Sequence, residues 1–175
     1  MIDPNLFDQF LAPLLSSAKF QIAEIFLKNE ELNSLNRAAF LIRKHKGLPD
    51  KFDLSKKIET KNNQYKDIIW LPIQTFTKNR IINSYPLDVK SLSTQASIHM
   101  EIKIIENFDL VSHLEYSHAH RVAYEDEYSQ ILVGGRLKNY AAIPVFIHGN
   151  QGILRVMNKL DKDDKTMETI DNAAI

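Results

Sequence analysis

The pattern around which the rest of the chain is arranged lies between Gly134 and Leu160, in GGRLKNYAAIPVFIHGNQGILRVMNKL, where two largely apolar runs flank a glycine turn. Ala141 to His148 predicts one strand, Gly149-Asn150 a turn, and Gly152 to Lys159 the return strand. With Ile147 opposite Gly152, the side chains of Ile143, Val145, Leu154 and Val156 share a wholly apolar face. Tyr140, Ala142, Pro144, Phe146, Ile153, Arg155 and Met157 share the other, which is mixed but too apolar to lie bare to water. Such a hairpin belongs in a sheet covered on both sides. Pro144 cannot donate to a strand ladder, so its nitrogen is expected at an edge or a bulge. Arg155 and Lys159 read as surface cations whose stems cover Phe146 and Met157.

The N-terminal 30 residues carry a different period. Asp3-Pro4 supplies a capping carboxylate and a first-turn proline. Phe7, Phe10, Leu11, Leu14 and Leu15 follow at helical spacing, and Ala18, Ile22, Ile25 and Phe26 extend the stripe to about Asn29. Residues 1–30 thus predict one or two amphipathic helices, broken or restarted at Pro13. Asn33 to Asn36 reads as a loop and Arg37 to His45 as a strand. Residues 50–66 read as an exposed connection, and Ile68 to Phe76 with Ile81 to Tyr85 as a second hairpin. Pro86 to Gln95 is expected to be a loop, and Ile98, Met100, Ile102 and Ile104 alternate as in a half-buried strand. Residues 107–124 fit neither period. Glu125 to Gly134 predicts a short helix stopped by the left-handed pair Gly134-Gly135. After the hairpin, Asp163 or Asp164 caps a final helix over 164–175, with Met167, Ile170 and Ala174 as its buried stripe. That helix meets Ile175 without a stop signal, which predicts that the natural chain continues. The order of elements predicts one domain over 1–175, of the α/β (α+β) class, with an antiparallel sheet.

Composition narrows the function. Lys plus Arg equals Asp plus Glu at 22 each, so charge makes no case for nucleic acid or an anionic membrane as partner. With no cysteine, disulfides, thiolate nucleophiles and thiolate metal sites fall away. No apolar run approaches the roughly 20 residues of a spanning helix. Asp3 and Asp8 stand where a secretory leader would be basic, and the expected location is cytoplasmic.

Little catalytic chemistry is patterned. Ser16-Ser17 and Ser117 lack a nucleophile elbow or paired base. Asp161, Asp163 and Asp164 lack the spacing of a calcium loop and read as capping groups. His113, His118 and His120 lie within eight residues, and His118-x-His120 on a strand would turn two imidazoles to one face, as a metal pair does. A solvated loop is the simpler reading of the same residues.

Gly134-Gly135, Ala141 to Pro144, Gly149, Gly152-Ile153-Leu154 and Asn158-Lys159 together resemble a GAF domain: a short helix ending in glycine, a strand ending near proline, a glycine turn, a Gly-hydrophobic-Leu strand and Asn-Lys. The likeness is best over 128–175. The further set Asn158, Lys159, Met167 and Asp171 is similar to the Asn-Lys…Phe…Asp-Glu motif of GAF domains in cyclic-nucleotide phosphodiesterases, with Met for Phe and Asn172 for Glu. The resemblance implies a central antiparallel sheet with the N- and C-terminal helices on one face and an irregular ligand-covering segment on the other. It places a pocket wall at 107–124, where Tyr116, His118, His120, Arg121 and Tyr124, with Trp70, offer donors, a cation and aromatic faces. Lys159 and Asp171 could pair to fix the last helix on the sheet. Family members that hold a tetrapyrrole covalently or reduce methionine sulfoxide use cysteines, which this chain lacks.

The resulting expectation is a non-enzymatic sensory or regulatory domain. It binds a small molecule, a nucleotide or other metabolite, with no cofactor specified, and signals through its terminal helices to a downstream effector. A homodimer through those helices is expected. Two alternatives stand beside it. One is a dimerisation module whose pocket is filled by Trp70, Met100 and Phe108; the other is a histidine-based metal-binding protein.

Overall fold

A computed structural model describes residues 4–44, 68–70, 84–87, 91–109, 125, 128, 131–163 and 165–167. Helix α1 (Pro4–Ala18) leads into strands β1 (Phe20–Asn29) and β2 (Ser34–Arg43), followed by the short strands β3 (Ile68–Trp70) and β4 (Ser84–Pro86). Helix α2 (Leu92–His99), β5 (Lys103–Ile105), β6 (Tyr140–Ile147) and β7 (Asn150–Lys159) complete the set. Every strand pairing is antiparallel, in the order β3-β2-β1-β7-β6-β5, with β4 also on β2. The expected α+β class with a central antiparallel sheet is therefore observed.

The sheet separates two apolar clusters. Leu11, Ala12 and Leu15 of α1 pack on Ala23, Ile25, Ala39, Leu41, Leu154 and Val156. On the other face Leu92 and Ala96 of α2, Phe108, Tyr128, Ile131, Leu132 and Leu137 cover Ile22, Phe26, Phe40, Tyr140, Ile153 and Met157. Central strands covered on both faces lose the alternation of a half-exposed strand. This is why residues 20–29 are a strand and not the predicted second helix: its first seven residues are all buried, and the apolar run satisfies either period. Pro13 does not break α1, which continues to Ala18. Burial of Leu11, Ala12 and Leu15 holds the helix across the missing N–H. Two cations close its C-terminal end: Arg43 donates to the Leu15 carbonyl at 3.0 Å, and Lys159 donates to that of Ala18.

The hairpin is present with its two faces as predicted, but two residues out of the expected register. Ile147 pairs with Asn150 and Val145 with Gly152. The turn residues are His148 and Gly149, both at positive φ (49° and 78°), the two-residue turn that matches strand twist. An even shift leaves each side chain on its predicted face. Gly152 is held close to β1, where an added Cβ would sit 2.5 Å from the Phe26 carbonyl oxygen. Strand β5 pairs only with Tyr140–Ala142 of β6, so Pro144 lies where β6 has become the outer strand among the described residues.

Other expectations are corrected. β2 begins at Ser34, inside the predicted loop. The described parts of the second hairpin do not pair with each other: β3 and β4 both run antiparallel to β2, end to end along it. The predicted 86–95 loop contains the start of α2, whose Ser91-Thr94 capping box opens a helix with buried Ser93, Thr94 and Ser97. Small polar residues on its covered face leave no apolar stripe to read. Ile98, Met100, Ile102 and Ile104 are 56%, 45%, 52% and 38% exposed, the helix ending at a left-handed Met100. Gly134 and Gly135 do adopt positive φ (65° and 68°), within a 3-10 turn over Val133–Gly135. At the predicted start of a last helix, Thr166 instead bridges Leu160. Residues 168–175 lie outside the described part.

Candidate functional site

Three adjacent strands place charged side chains on the face beneath α2 and Tyr128. Glu24 of β1 stands directly opposite Arg155 of β7, and Phe26 opposite Arg37 of β2. Arg37 owes its position to a β-bulge. Ile25 pairs with Ala39 but Phe26 with Arg37, so Ala38 is the extra residue and Arg37 is turned to the side of Phe26 and Glu24.

The side chains of Glu24, Arg37 and Arg155 are all fully buried. Arg155 Nε donates to Glu24 Oε2 at 2.6 Å, and Arg37 Nη2 lies 3.0 Å from Glu24 Oε1. The Tyr128 hydroxyl accepts from Arg37 Nη2 and from Arg155 Nη2, each at 2.6 Å, and donates to Glu24 Oε1 at 2.8 Å. Arg155 Nη1 reaches Ser93 Oγ at 3.4 Å, and Ser93 shares a 2.6 Å hydrogen bond with the Tyr140 hydroxyl. Aromatic rings wall the cluster. The Arg155 guanidinium lies 4.6 Å from the Phe26 centroid and 5.4 Å from that of Tyr85; the Arg37 guanidinium lies 5.1 Å from Phe26 and 5.2 Å from Phe40. Burial pushes the Tyr128 phenol well above the usual tyrosine range, so it remains a neutral donor.

A second buried polar group joins this covered face to the end of the described chain. Gln21 donates to the Ile131 carbonyl and accepts from the Val133 N–H at 3.0 Å. Asn158, at φ 53°, accepts from the Lys138 N–H and donates to the Arg136 carbonyl, both at 2.8 Å. Asn139 accepts from the Lys159 N–H at 2.7 Å and donates to the Met167 carbonyl at 3.0 Å. Asn158, Lys159 and Met167 of the predicted motif are thus brought together. Lys159 serves α1 and lies 5.3 Å from the Phe20 ring. Asp171 lies outside the described residues. Asp161, expected as a cap, accepts from the backbone N–H groups of Lys165 and Asp163, which hold its carboxyl below the ordinary range.

Of the predicted pocket residues, Tyr116, His118, His120, Arg121 and Tyr124 lie outside the described residues, as do His113 and the side chain of Trp70. Phe108 is in the core, whereas Met100 is 45% exposed, so Met100 does not fill a cavity beside it. Arg155 is corrected from a surface cation to a fully buried one. Glu24, Tyr128 and Ser93 were missed, and Arg37 was read only as the start of a strand. For Glu24 and Arg155 the signal was a single charge in an otherwise apolar run, FQIAEIF and GILRVM; Tyr128 in EDEYSQ and Ser93 in KSLSTQ stand in no such run. Among the described residues no group of three or more His, Cys, Asp and Glu side chains could hold a metal ion. No described helix is long and apolar enough to cross a membrane.

The fold is that of a GAF domain. The GAF domain region of a protein from Geobacter sulfurreducens PCA superposes with a TM-score of 0.52 over 97% of this chain and 80% of that one, at 13% identity. The GAF domain of an Acinetobacter phosphoenolpyruvate-protein phosphotransferase gives a TM-score of 0.48 over 96% of this chain and 69% of that one, at 14% identity. No protein-family model matches the sequence, and no curated protein does.

Proposed function

We propose that this domain is a non-enzymatic sensory or regulatory module that binds a small molecule on the sheet face carrying Glu24, Arg37 and Arg155. The observation that carries the proposal is the complete burial of these three charges under aromatic rings. Desolvating them is expensive, and an apolar cluster of the same volume would hold the sheet at least as well. A polar cluster in that place is better suited to recognition, which needs a few directed groups in an apolar setting. Trp70, Tyr116, His118, His120, Arg121 and Tyr124 are the proposed remainder of the wall, as the family resemblance implies.

Signalling would follow from different ligand affinities in two arrangements of the covering segment. The Gln21, Asn139 and Asn158 hydrogen bonds offer a route from that segment to the chain around Met167. Native mass spectrometry of freshly purified protein tests the reading. The expected spectrum carries a retained small molecule that Arg155→Leu loses. Bare chain mass throughout, with no change in melting temperature across a metabolite panel, would sink it. A homodimer through α1 is part of the proposal, supported by Phe10, which is 63% exposed on that helix.

A further inference from the structure

The surroundings of the Tyr128 hydroxyl have a definite hydrogen-bonding polarity. Two guanidinium Nη2 groups donate to the oxygen at 2.6 Å, and a carboxylate oxygen receives its proton at 2.8 Å. A hydroxyl group satisfies all three partners, with lone pairs toward the cations and the proton toward Glu24. A bare carboxylate or phosphate oxygen in that place would meet the Glu24 oxygen at hydrogen-bond distance without a proton between them. An ammonium would face two guanidinium groups. An apolar group would leave three buried polar groups without this partner.

The ring behind the hydroxyl is also matched. Tyr128 stacks on Phe40 at 5.8 Å between centroids and 16° between planes, with the Arg37 and Arg155 guanidinium carbons 5.9 and 5.7 Å from its centroid. The sheet supplies every one of these partners: Glu24 from β1, Arg37 and Phe40 from β2, Arg155 from β7. Tyr128 comes from the covering side, 104 positions from Glu24. The strands form a receptor for a planar hydroxylated ring, and Tyr128 is its tethered occupant.

Resting on the reading of this face as the ligand site, we infer that the ligand carries a neutral hydroxyaryl group that competes with Tyr128 for the cup formed by Glu24, Arg37 and Arg155. The probe is p-cresol, the tyrosine side chain as a free molecule; toluene lacks its hydroxyl and 4-methylbenzoate replaces it with an anion. The full chain, labelled with nitrogen-15, is titrated while the Arg155 Nε–H signal is followed. A saturable shift with p-cresol is expected, with at least about tenfold weaker responses to the other two, the scale of a lost buried hydrogen bond. Tyr128→Ala should bind p-cresol at least about tenfold tighter than the wild type and regain thermal stability when it is added.

An Arg155 signal that stays still up to the solubility limit, or moves equally with all three compounds, overturns the inference, whether or not Tyr128→Ala folds. If the wild-type protein retains a molecule without a hydroxyaryl group and p-cresol does not displace it, the inference falls while the ligand-binding reading stands. With neither a retained molecule nor a response to p-cresol, both fall.

Discussion

Glu24 meets both Arg37 and Arg155 in a region where none of the three side chains reaches solvent. Taking its charge away leaves two buried cations poorly compensated, a cost that typically reaches about 3–5 kcal/mol. Glu24→Leu is therefore expected to lose stability on that order in urea, and Glu24→Leu with Arg155→Leu to regain part of it. Additive losses in that cycle would mean that the two charges are not coupled. Tyr128 adds a dependence on pH. Desolvation raises its folded pKa well above the unfolded value, so its contribution is intact below about pH 10 and declines as pH rises beyond it, where the unfolded chain alone gives up the proton. One proton corresponds to a slope of about 1.4 kcal/mol per pH unit. Denaturation between pH 9.5 and 11.5 should give a shallower alkaline decline for Tyr128→Phe than for the wild type; equal slopes would show that Tyr128 titrates normally. Neither role was readable from residue type alone, because an arginine in GILRVM has the same letters whether its strand is central or outermost.

At the scale of elements, the bulge in β2 matters more than the strand itself. It admits Ala38 as an extra residue and so returns Arg37 to the side of Glu24 and Phe26. Deleting Ala38 would restore a regular ladder and still leave Arg37 opposite Phe26, on the side of Glu24. The expected result is a protein that keeps the Arg37 signature near Tyr128 by NMR and loses no more than about 0.5–3 kcal/mol, the range of an ordinary single change. A deletion variant that loses that signature would show that Ala38 does more than set which face Arg37 takes. The hairpin of β6 and β7 was legible beforehand, faces included, because one of its faces is wholly apolar. The helix α2 was not, because its covered residues include Ser93, Thr94 and Ser97. Its start lay in the Ser91-Thr94 capping pair, a signal independent of apolar period.

Across the whole molecule, the sheet keeps two different interiors apart. The face under α1 is apolar, while the face under α2 and Tyr128 carries the ion pairs. This asymmetry gives the proposed homodimer and the proposed ligand site opposite sides of one sheet. Phe10→Glu on α1 should then shift the protein toward monomer in analytical ultracentrifugation and leave melting within about 0.5 kcal/mol of the wild type, as for most surface changes. An unchanged sedimentation coefficient would place any dimer contact elsewhere.

The order of residues was enough for the α+β class, the β6–β7 hairpin and its faces, the left-handed glycine pair and the nearness of Asn158 to the sheet's end. These are local properties, carried by turn chemistry and by a period that one apolar face makes visible. The tertiary structure alone decided that residues 20–29 are a strand, since burial on both faces erases the period that separates strand from helix. It alone decided that Arg155 is interior, because burial depends on what lies across the sheet. It alone brought Glu24, Arg37, Tyr128 and Arg155 to one point, by a cross-strand register, a one-residue bulge and a partner more than a hundred positions away in sequence.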